Sequence, residues 1–331
     1  MTKAVQPTGA TSVLDISVSA SLPCSNDLEL RSVSDTVSVI IVNYNVNNCL
    51  RNCVSSALDQ VDALIVVDNA STDGSVAKLE AEFADDQRLT IIRNRENLGF
   101  AAACNIGAEV STGKYLFFLN PDCVLAPDSV NRLVRVLDDY PNVGMVGGLL
   151  LNPDGTEQAG GRRVVPTPWR AFVRVSGLSY FSWRWPKLCS DFLLHNQPLP
   201  AGPIEVEAIS GACVLMRRAL FNEIGRWDER YFLHCEDLDL CMAVRGKGLN
   251  IMFVPEARIV HDKGRCSRSR PIFVAWHKHR GMIRFYGKYF RQQYPGVLFY
   301  LVCLGVWLQF SCVAMWHAGT LAFGHLWGRR G

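Results

Sequence analysis

Residues 37–42 read VSVIIV, an unbroken β-branched run of the kind that forms a strand covered on both faces. Three more such runs follow, at 63–67, 89–92 and 115–119, and the segments between them (49–60, 75–83 and 100–110) carry helical spacing. A strand buried on both faces needs a layer on each side. The alternation supplies those layers through right-handed crossovers between parallel strands. The chain is therefore expected to be α/β, with a mostly parallel central sheet flanked by helices. In such sheets ligands bind beyond the carboxyl ends of the strands. Polar clusters stand at three of those ends: Asn43-Tyr44-Asn45, Asp68-Asn69 and Asn120-Pro121-Asp122.

Acidic residues in apolar surroundings locate the chemistry. Residues 225–248, GRWDERYFLHCEDLDLCMAVRGKG, set Glu236, Asp237 and Asp239 among Phe232, Leu233, Leu238, Leu240 and Met242. Such carboxylates are costly to desolvate unless they are paired, bound to metal or used in a reaction. Asp122 repeats the theme at the end of the run LFFLNPDCVL. Two acidic sites so far apart in sequence suggest an enzyme that handles a metal ion and removes a proton. Taken alone, Asp122 reads equally well as a helix N-cap, and Glu236 rivals Asp237 as a base. Asp239 is expected to bond the backbone or an arginine.

A chain of 331 residues, 49% hydrophobic and 20% charged, has room for one large α/β domain or two smaller ones and is not disordered. The net charge of +3 conceals a basic stretch, 263–291, with nine Lys or Arg and no Asp or Glu. That patch favours phosphate groups or an anionic membrane surface. Few aromatics interleave with Arg265, Arg268 and Arg270, which argues against nucleic acid. The twelve cysteines contain no CxxC pair, so a structural zinc is disfavoured. With no signal peptide in view, a cytoplasm that keeps these thiols reduced is expected.

Three segments lie outside the repeating pattern. Residues 1–35, rich in Ser, Thr and Val, read as a mobile tail. Residues 160–203 carry Trp169, Trp183 and Trp185 with Arg162, Arg163, Arg170, Arg174 and Arg184, broken by prolines. They suit a substrate-covering loop, a membrane-facing flap or an irregular insertion packed on the core. Beyond them, 205–216 reads as a further strand with a turn at Ser210-Gly211-Ala212. Finally, 292–328 has no charged residue, and 296–316 alone is long enough to cross a bilayer as a helix. Gln309, Ser311, Trp307 and Trp316 leave an interfacial or re-entrant helix open instead. The basic run before it would then lie on the cytoplasmic side.

Seven motifs in order, VSVIIVNYN, VVDNASTDGS, NRENLGFAAACNIG, LFFLNPDCVL, ISGACVLMRR, GRWDERYFLHCEDLDLC and HDKGRCS, resemble those of glycosyltransferase family 2. These are nucleotide-sugar-dependent enzymes of the GT-A fold, and the likeness is greatest to the rhamnosyltransferase branch. It covers roughly 37–270. Composition sets a tail over 1–35 and a basic and hydrophobic C-terminal helical membrane-associated segment over 271–331, and between them the resemblance implies a GT-A domain over 36–270. The resemblance also implies that Tyr44 and Asp68 hold the base and ribose, with Asn69 where many relatives carry a second Asp. Asn97 and Asn105 fall in the segment that lines the nucleotide pocket. Asn120-Pro121-Asp122 replaces the usual Asp-x-Asp, which leaves Asp122 to bind Mg²⁺ or Mn²⁺, with Asn120 beside the nucleotide sugar. His261 matches a position that reaches the metal or diphosphate, Arg265 suits the diphosphate, and Asp237 corresponds to the general base.

The implied activity is an inverting transfer of a sugar from a nucleotide diphosphate donor to a hydroxyl of a lipid-linked glycan. It would serve cell-surface polysaccharide synthesis at the cytoplasmic face of the inner (plasma) membrane. Overall similarity favours rhamnose. A UDP-hexose-dependent enzyme of the same fold, or a catalytically weak scaffold of a polysaccharide assembly complex, stays open as an alternative. A dehydrogenase is disfavoured, because NYNVNN follows the first strand where GxGxxG would be needed. Independent chemistry agrees: a hard cation can borrow oxygens from substrate phosphates, so one carboxylate can suffice.

Overall fold

The computed structural model describes residues 37–262, 264 and 270–327, with side chains described as far as 320. The expected tail at 1–35 and Arg265 lie outside the described residues. The alternation read from the sequence is present: β1 (Val37–Asn43), α1 (Cys49–Leu58), β2 (Ala63–Asp68), α2 (Ser75–Glu82), β3 (Leu89–Arg93), α3 (Phe100–Val110) and β4 (Tyr115–Leu119). These four strands pair in the parallel order β3-β2-β1-β4. Along β1, Val39 and Ile41 enter one core layer while Ile40 and Val42 enter the other. This period-two alternation, apolar on both sides, is why the run is continuous. Helix α3 lies very close to the sheet. A Cβ on Gly107 would come within 2.6 Å of Ile40 Cγ2.

The second half of the sheet is mixed. After β5 (Cys123–Leu125), α4 (Ser129–Asp139) and β6 (Val143–Leu151) comes the short β7 (Arg162–Arg163), then an insertion of α5 (Pro168–Val175), a 3-10 turn (Leu178–Trp183) and α6 (Pro186–Cys189). The expected strand over 205–216 is three pieces: β8 (Ile204–Val206), β9 (Ala208–Ile209) and β10 (Cys213–Arg217). The Ser210-Gly211-Ala212 turn separates β9 from β10, and Ala212 accepts a hydrogen bond from the Asn120 N–H at 3.0 Å. Strand β10 is wedged antiparallel between β4 and β6. After α7 (Arg218–Glu223) and α8 (Glu236–Gly246), β11 (Asn250–His261) runs parallel to β6 and antiparallel to β5 and β8. The wedge brings the turn before β10 to the same end of the sheet as the carboxyl end of β4.

The C-terminal helices are α9 (Pro271–Tyr289) and α10 (Val297–Trp327). Phe285, Tyr286 and Phe290 are buried in the second core layer, so α9 packs as part of the main α/β body. Lys288 pairs with Asp239 at 2.8 Å and Tyr231 donates to the same carboxylate at 3.1 Å. Asp239 therefore has a structural role, but its side chain is held by a lysine and a tyrosine rather than by the expected backbone group or arginine.

Candidate active site

One cavity of about 1130 Å³ opens at the carboxyl end of the sheet. Among the residues lining it are Tyr44, Asn69, Asn97, Asn120, Asp122, Glu236, Asp237 and His261. The fold thus brings eight of the expected site residues to one space. The insertion supplies part of the wall through Ala171, Arg174 and Val175, while its Tyr180 and Trp183 stay largely exposed. Of the three readings of 160–203, the substrate-covering one fits the inner face.

Two expected contacts are placed elsewhere. Asp68 does not line the cavity. Its Oδ1 accepts from Asn43 Nδ2 at 2.8 Å and its Oδ2 from the Ser71 N–H at 3.2 Å, so it fastens the turn after β2. Asn105 faces away on α3, donating to the Trp227 carbonyl (3.0 Å) and Glu229 Oε1 (2.8 Å) and accepting from the Trp227 N–H (3.2 Å). Its amide clamps the loop before α8, a use that helical spacing cannot reveal. Asn69 does line the cavity, yet its Nδ2 donates to the Gly99 carbonyl at 3.1 Å and its Oδ1 accepts from Asn94 at 2.8 Å. Gly99 has φ +88°, and a Cβ there would meet the Phe232 carbonyl at 2.7 Å, so only glycine permits this junction.

His261 and Asp122 meet although 139 residues separate them, because β11 pairs with β5 in a register that sets His261 opposite Cys123. His261 Nε2 lies 3.1 Å from Asp122 Oδ1, with side chains only 6% and 5% exposed. Gln158 fixes the ring. Its Nε2 donates to the His261 carbonyl and Asn152 Oδ1, both at 3.0 Å, which turns its Oε1 to His261 Nδ1 at 2.7 Å. This network assigns the proton to Nδ1 and leaves the Nε2 lone pair facing a carboxylate oxygen. Two acceptors this close need a proton or a cation between them. One hard oxygen with one imidazole suits Mn²⁺, and suits Mg²⁺ when phosphates add oxygens. Cys123 is near enough to be a ligand. Burial and the Asp122 charge push its thiol well above the ordinary value, however, and its Sγ donates to the Ala212 carbonyl at 3.6 Å. It is a core residue.

Across the cavity, α8 starts at Glu236 after two residues in left-handed conformation, His234 and Cys235. The amino end of a helix favours negative charge, and the first turn carries Glu236, Asp237 and Asp239. Asp237 Oδ2 accepts from Arg163 and, at 3.2 Å, from the Gly211 N–H. Burial acts to raise the Asp237 carboxyl, but the Arg163 charge and the Gly211 and Leu238 N–H groups outweigh it, and the net shift is downward. Glu236 goes the other way. Burial first, then the charge of Asp237, push it up to about 8. Its Oε2 is buried with no hydrogen-bond partner among the described residues. The two adjacent carboxyls are therefore pushed in opposite directions, Asp237 towards its ionised form and Glu236 towards its protonated one.

Arg163, Gln158 and Gly211 were not singled out as site residues by sequence. Arg163 stands in an Arg-Arg pair inside an insertion rich in arginine, and Gln158 precedes it in an unremarkable turn. Gly211 sits in the motif ISGACVLMRR, and that was the one available signal.

Comparison with known proteins agrees with this geometry. The family model of glycosyl transferase family 2 matches residues 38–225. An N-acetylglucosaminyl-diphospho-decaprenol L-rhamnosyltransferase of Mycobacterium tuberculosis is 25% identical over 262 residues, covering 74% of this chain and 83% of that protein. A GalNAc-T7 structure with UDP, GalNAc and Mn²⁺ superposes with TM-score 0.53 at 18% identity, over 70% of this chain and 44% of that one. Mannosyltransferase PcManGT from Pyrobaculum calidifontis, in complex with GDP-Man and Mn²⁺, gives TM-score 0.52 at 18% identity, over 88% and 75%. At such identities the two structures speak for the fold alone. The family match spans more than half of the chain on a GT-A scaffold, and this protein belongs to glycosyltransferase family 2.

Proposed function

We propose that this glycosyltransferase transfers the sugar of a nucleotide-diphosphate donor, rhamnose by its likeness to a rhamnosyltransferase, with inversion at the anomeric carbon to a hydroxyl of a lipid-linked glycan. The product would enter cell-surface polysaccharide, made at the cytoplasmic face of the plasma membrane. One observation carries the reading: Asp237 and the Asp122–His261 pair line a single cavity. The Mycobacterium tuberculosis relative, by its name, acts on a diphospho-decaprenol acceptor, which supports the lipid-linked choice.

In this reading Asp237 takes the proton from the acceptor hydroxyl as that oxygen attacks, help worth roughly 10²- to 10⁴-fold in rate. Arg163 keeps Asp237 ionised, and the Gly211 N–H holds its Oδ2 in place. Glu236 is the poorer base because it retains its proton; it is instead suited to donate a hydrogen bond to a substrate oxygen. One base on the face opposite the departing diphosphate gives a single displacement with inversion, by the logic that governs glycosidases. Asp122 and His261 would hold Mg²⁺ or Mn²⁺, which when bound offsets the charge of the leaving diphosphate. Tyr44, Asn69 and Asn97 would meet the nucleotide. Asp68 and Asn105 would support that wall from behind.

The test is release of nucleoside diphosphate by purified protein across a donor panel, with a polyprenyl-diphosphate glycan as acceptor. Acceptor-dependent turnover of dTDP-rhamnose is expected. Turnover of only a UDP-hexose would correct the donor, and no turnover of any donor with inverted product would overturn the reading.

A further inference from the structure

Helix α10 contains 24 residues, Val297–Thr320, long and apolar enough to cross a bilayer. Its packing on α9 argues against a crossing, although the apolar window itself is almost wholly exposed. Helices α9 and α10 form an antiparallel hairpin. Near the turn, Phe299 packs on Gly287 and under the Arg291 guanidinium. Farther along, Trp307 lies 5.0 Å from Trp276, and Phe310 lies 5.5 Å from Trp276 and 5.6 Å from His279. The first half of α10 thus runs beside α9, which is itself fixed to the catalytic body. Gly281 seats against the His234 carbonyl, where a Cβ would come within 2.9 Å, and Lys288 is paired with Asp239.

A crossing would put the bilayer midplane near Leu308, level with α9 residues 276–280. Lys278 and Arg280, both exposed, would stand at a depth where each charge costs about 2.5–3.5 kcal/mol on insertion scales. The folded domain packed against α9 would have to share that depth. The part of α10 beyond this packing, 311–327, is about 25 Å long at 1.5 Å per residue, at the lower limit of what spans the ~30 Å hydrocarbon core.

We propose that the α9–α10 hairpin is a monotopic anchor, with α10 seated in one leaflet of an anionic bilayer and both of its ends on the side of the catalytic domain. Its outward face offers Leu301, Leu304, Leu308 and Met315, each more than half exposed. No Asp or Glu occurs after Asp262, while basic residues stand on both flanks, from Lys263 to Arg291 before the helix and at Arg329 and Arg330 after it. Cations on both flanks favour one shared cytoplasmic side, and a surface of single sign attracts anionic headgroups. Phe273, Val274 and Lys278 of α9 and Gln309 of α10 also line the catalytic cavity. The cavity therefore opens beside the leaflet. Given the lipid-linked acceptor proposed above, that acceptor would enter sideways from the membrane plane.

Two measurements on the full chain decide it, and neither depends on sugar transfer. Alkaline phosphatase and green fluorescent protein are fused in turn before Met1 and after Gly331 in a bacterial host. Both positions are expected to report the cytoplasmic side, and opposite sides would overturn the proposal. Sedimentation with phosphatidylglycerol vesicles then compares the parent with Leu301→Glu/Leu308→Glu, whose exposed sites should leave the thermal melt unchanged. At least tenfold weaker binding is expected; equal binding would refute the surface. A protein without transferase activity that passed both would sink the function and leave the anchor standing.

Discussion

Asp237→Asn removes the proposed proton acceptor and also strands Arg163, so its two effects must be separated. Both partners are largely buried, each 16% exposed. Deleting one member of such a pair costs about 3–5 kcal/mol, because the survivor stays charged in a poor solvent. The lower end applies here, since Arg163 still donates to the Ile209 carbonyl at 3.1 Å. A loss of about 3 kcal/mol lowers the melting temperature by roughly 6–12 °C for a domain of this size. Turnover at saturating donor and acceptor should fall by roughly 10²- to 10⁴-fold. The double variant Arg163→Met/Asp237→Asn removes the stranded charge as well. It should regain most of the stability and none of the turnover. The assay is nucleoside-diphosphate release, run well below each variant's melt and paired with calorimetry. Turnover of Asp237→Asn within tenfold of the parent, or its recovery in the double variant, would refute the assignment of the base. The sign of the pH effect is fixed too. Because the folded-state Asp237 carboxyl is depressed, its stabilising contribution is complete above the ordinary carboxylate range and is lost only as pH falls through the depressed value.

Glu236 should show the opposite dependence. Its folded-state value of about 8 exceeds that of an unfolded glutamate, about 4.3, so its contribution is full in acid and disappears as pH rises through 8. Relative to Glu236→Gln, the parent should lose melting temperature steadily between those limits, and parallel curves would sink the idea. For Gln158→Leu, which frees the His261 ring to change tautomer, Mn²⁺ affinity by titration calorimetry should fall about 10- to 100-fold. Nitrogen NMR of His261 should show the Nδ1 proton lost from its fixed position. An unchanged affinity would mean that Gln158 does not orient the ligand.

Much of the architecture was legible from local pattern. The β-branched runs at 37–42 and 63–67 became β1 and β2 because a strand buried on both faces has no polar positions to spare. Asp122 and Asp237 stood out because carboxylates among apolar runs are expensive without a use, whereas His261 was marked only by the family resemblance of its motif. Arg163 and Gln158 gave no comparable signal. Their importance comes from a partner distant in sequence: Asp237 for one, His261 for the other. Asn105 and Asp68 erred in the other direction. Both lie in the right segment, but a rotation about the helix or a turn of the chain decides whether a side chain faces a cavity or the protein.

By itself, then, the order of residues determined the layered α/β plan and the family and marked the candidate reacting groups, since each is written in short-range periodicity or in motifs. Only the tertiary structure decided in which direction each of two adjacent carboxyls is pushed, which ring nitrogen of His261 faces Asp122, and that the first half of α10 lies against α9. Those outcomes depend on distances between chain segments far apart in sequence. The Arg163 charge beside Asp237, the Gln158 amide on His261 and the α9 cations beside α10 all act through space.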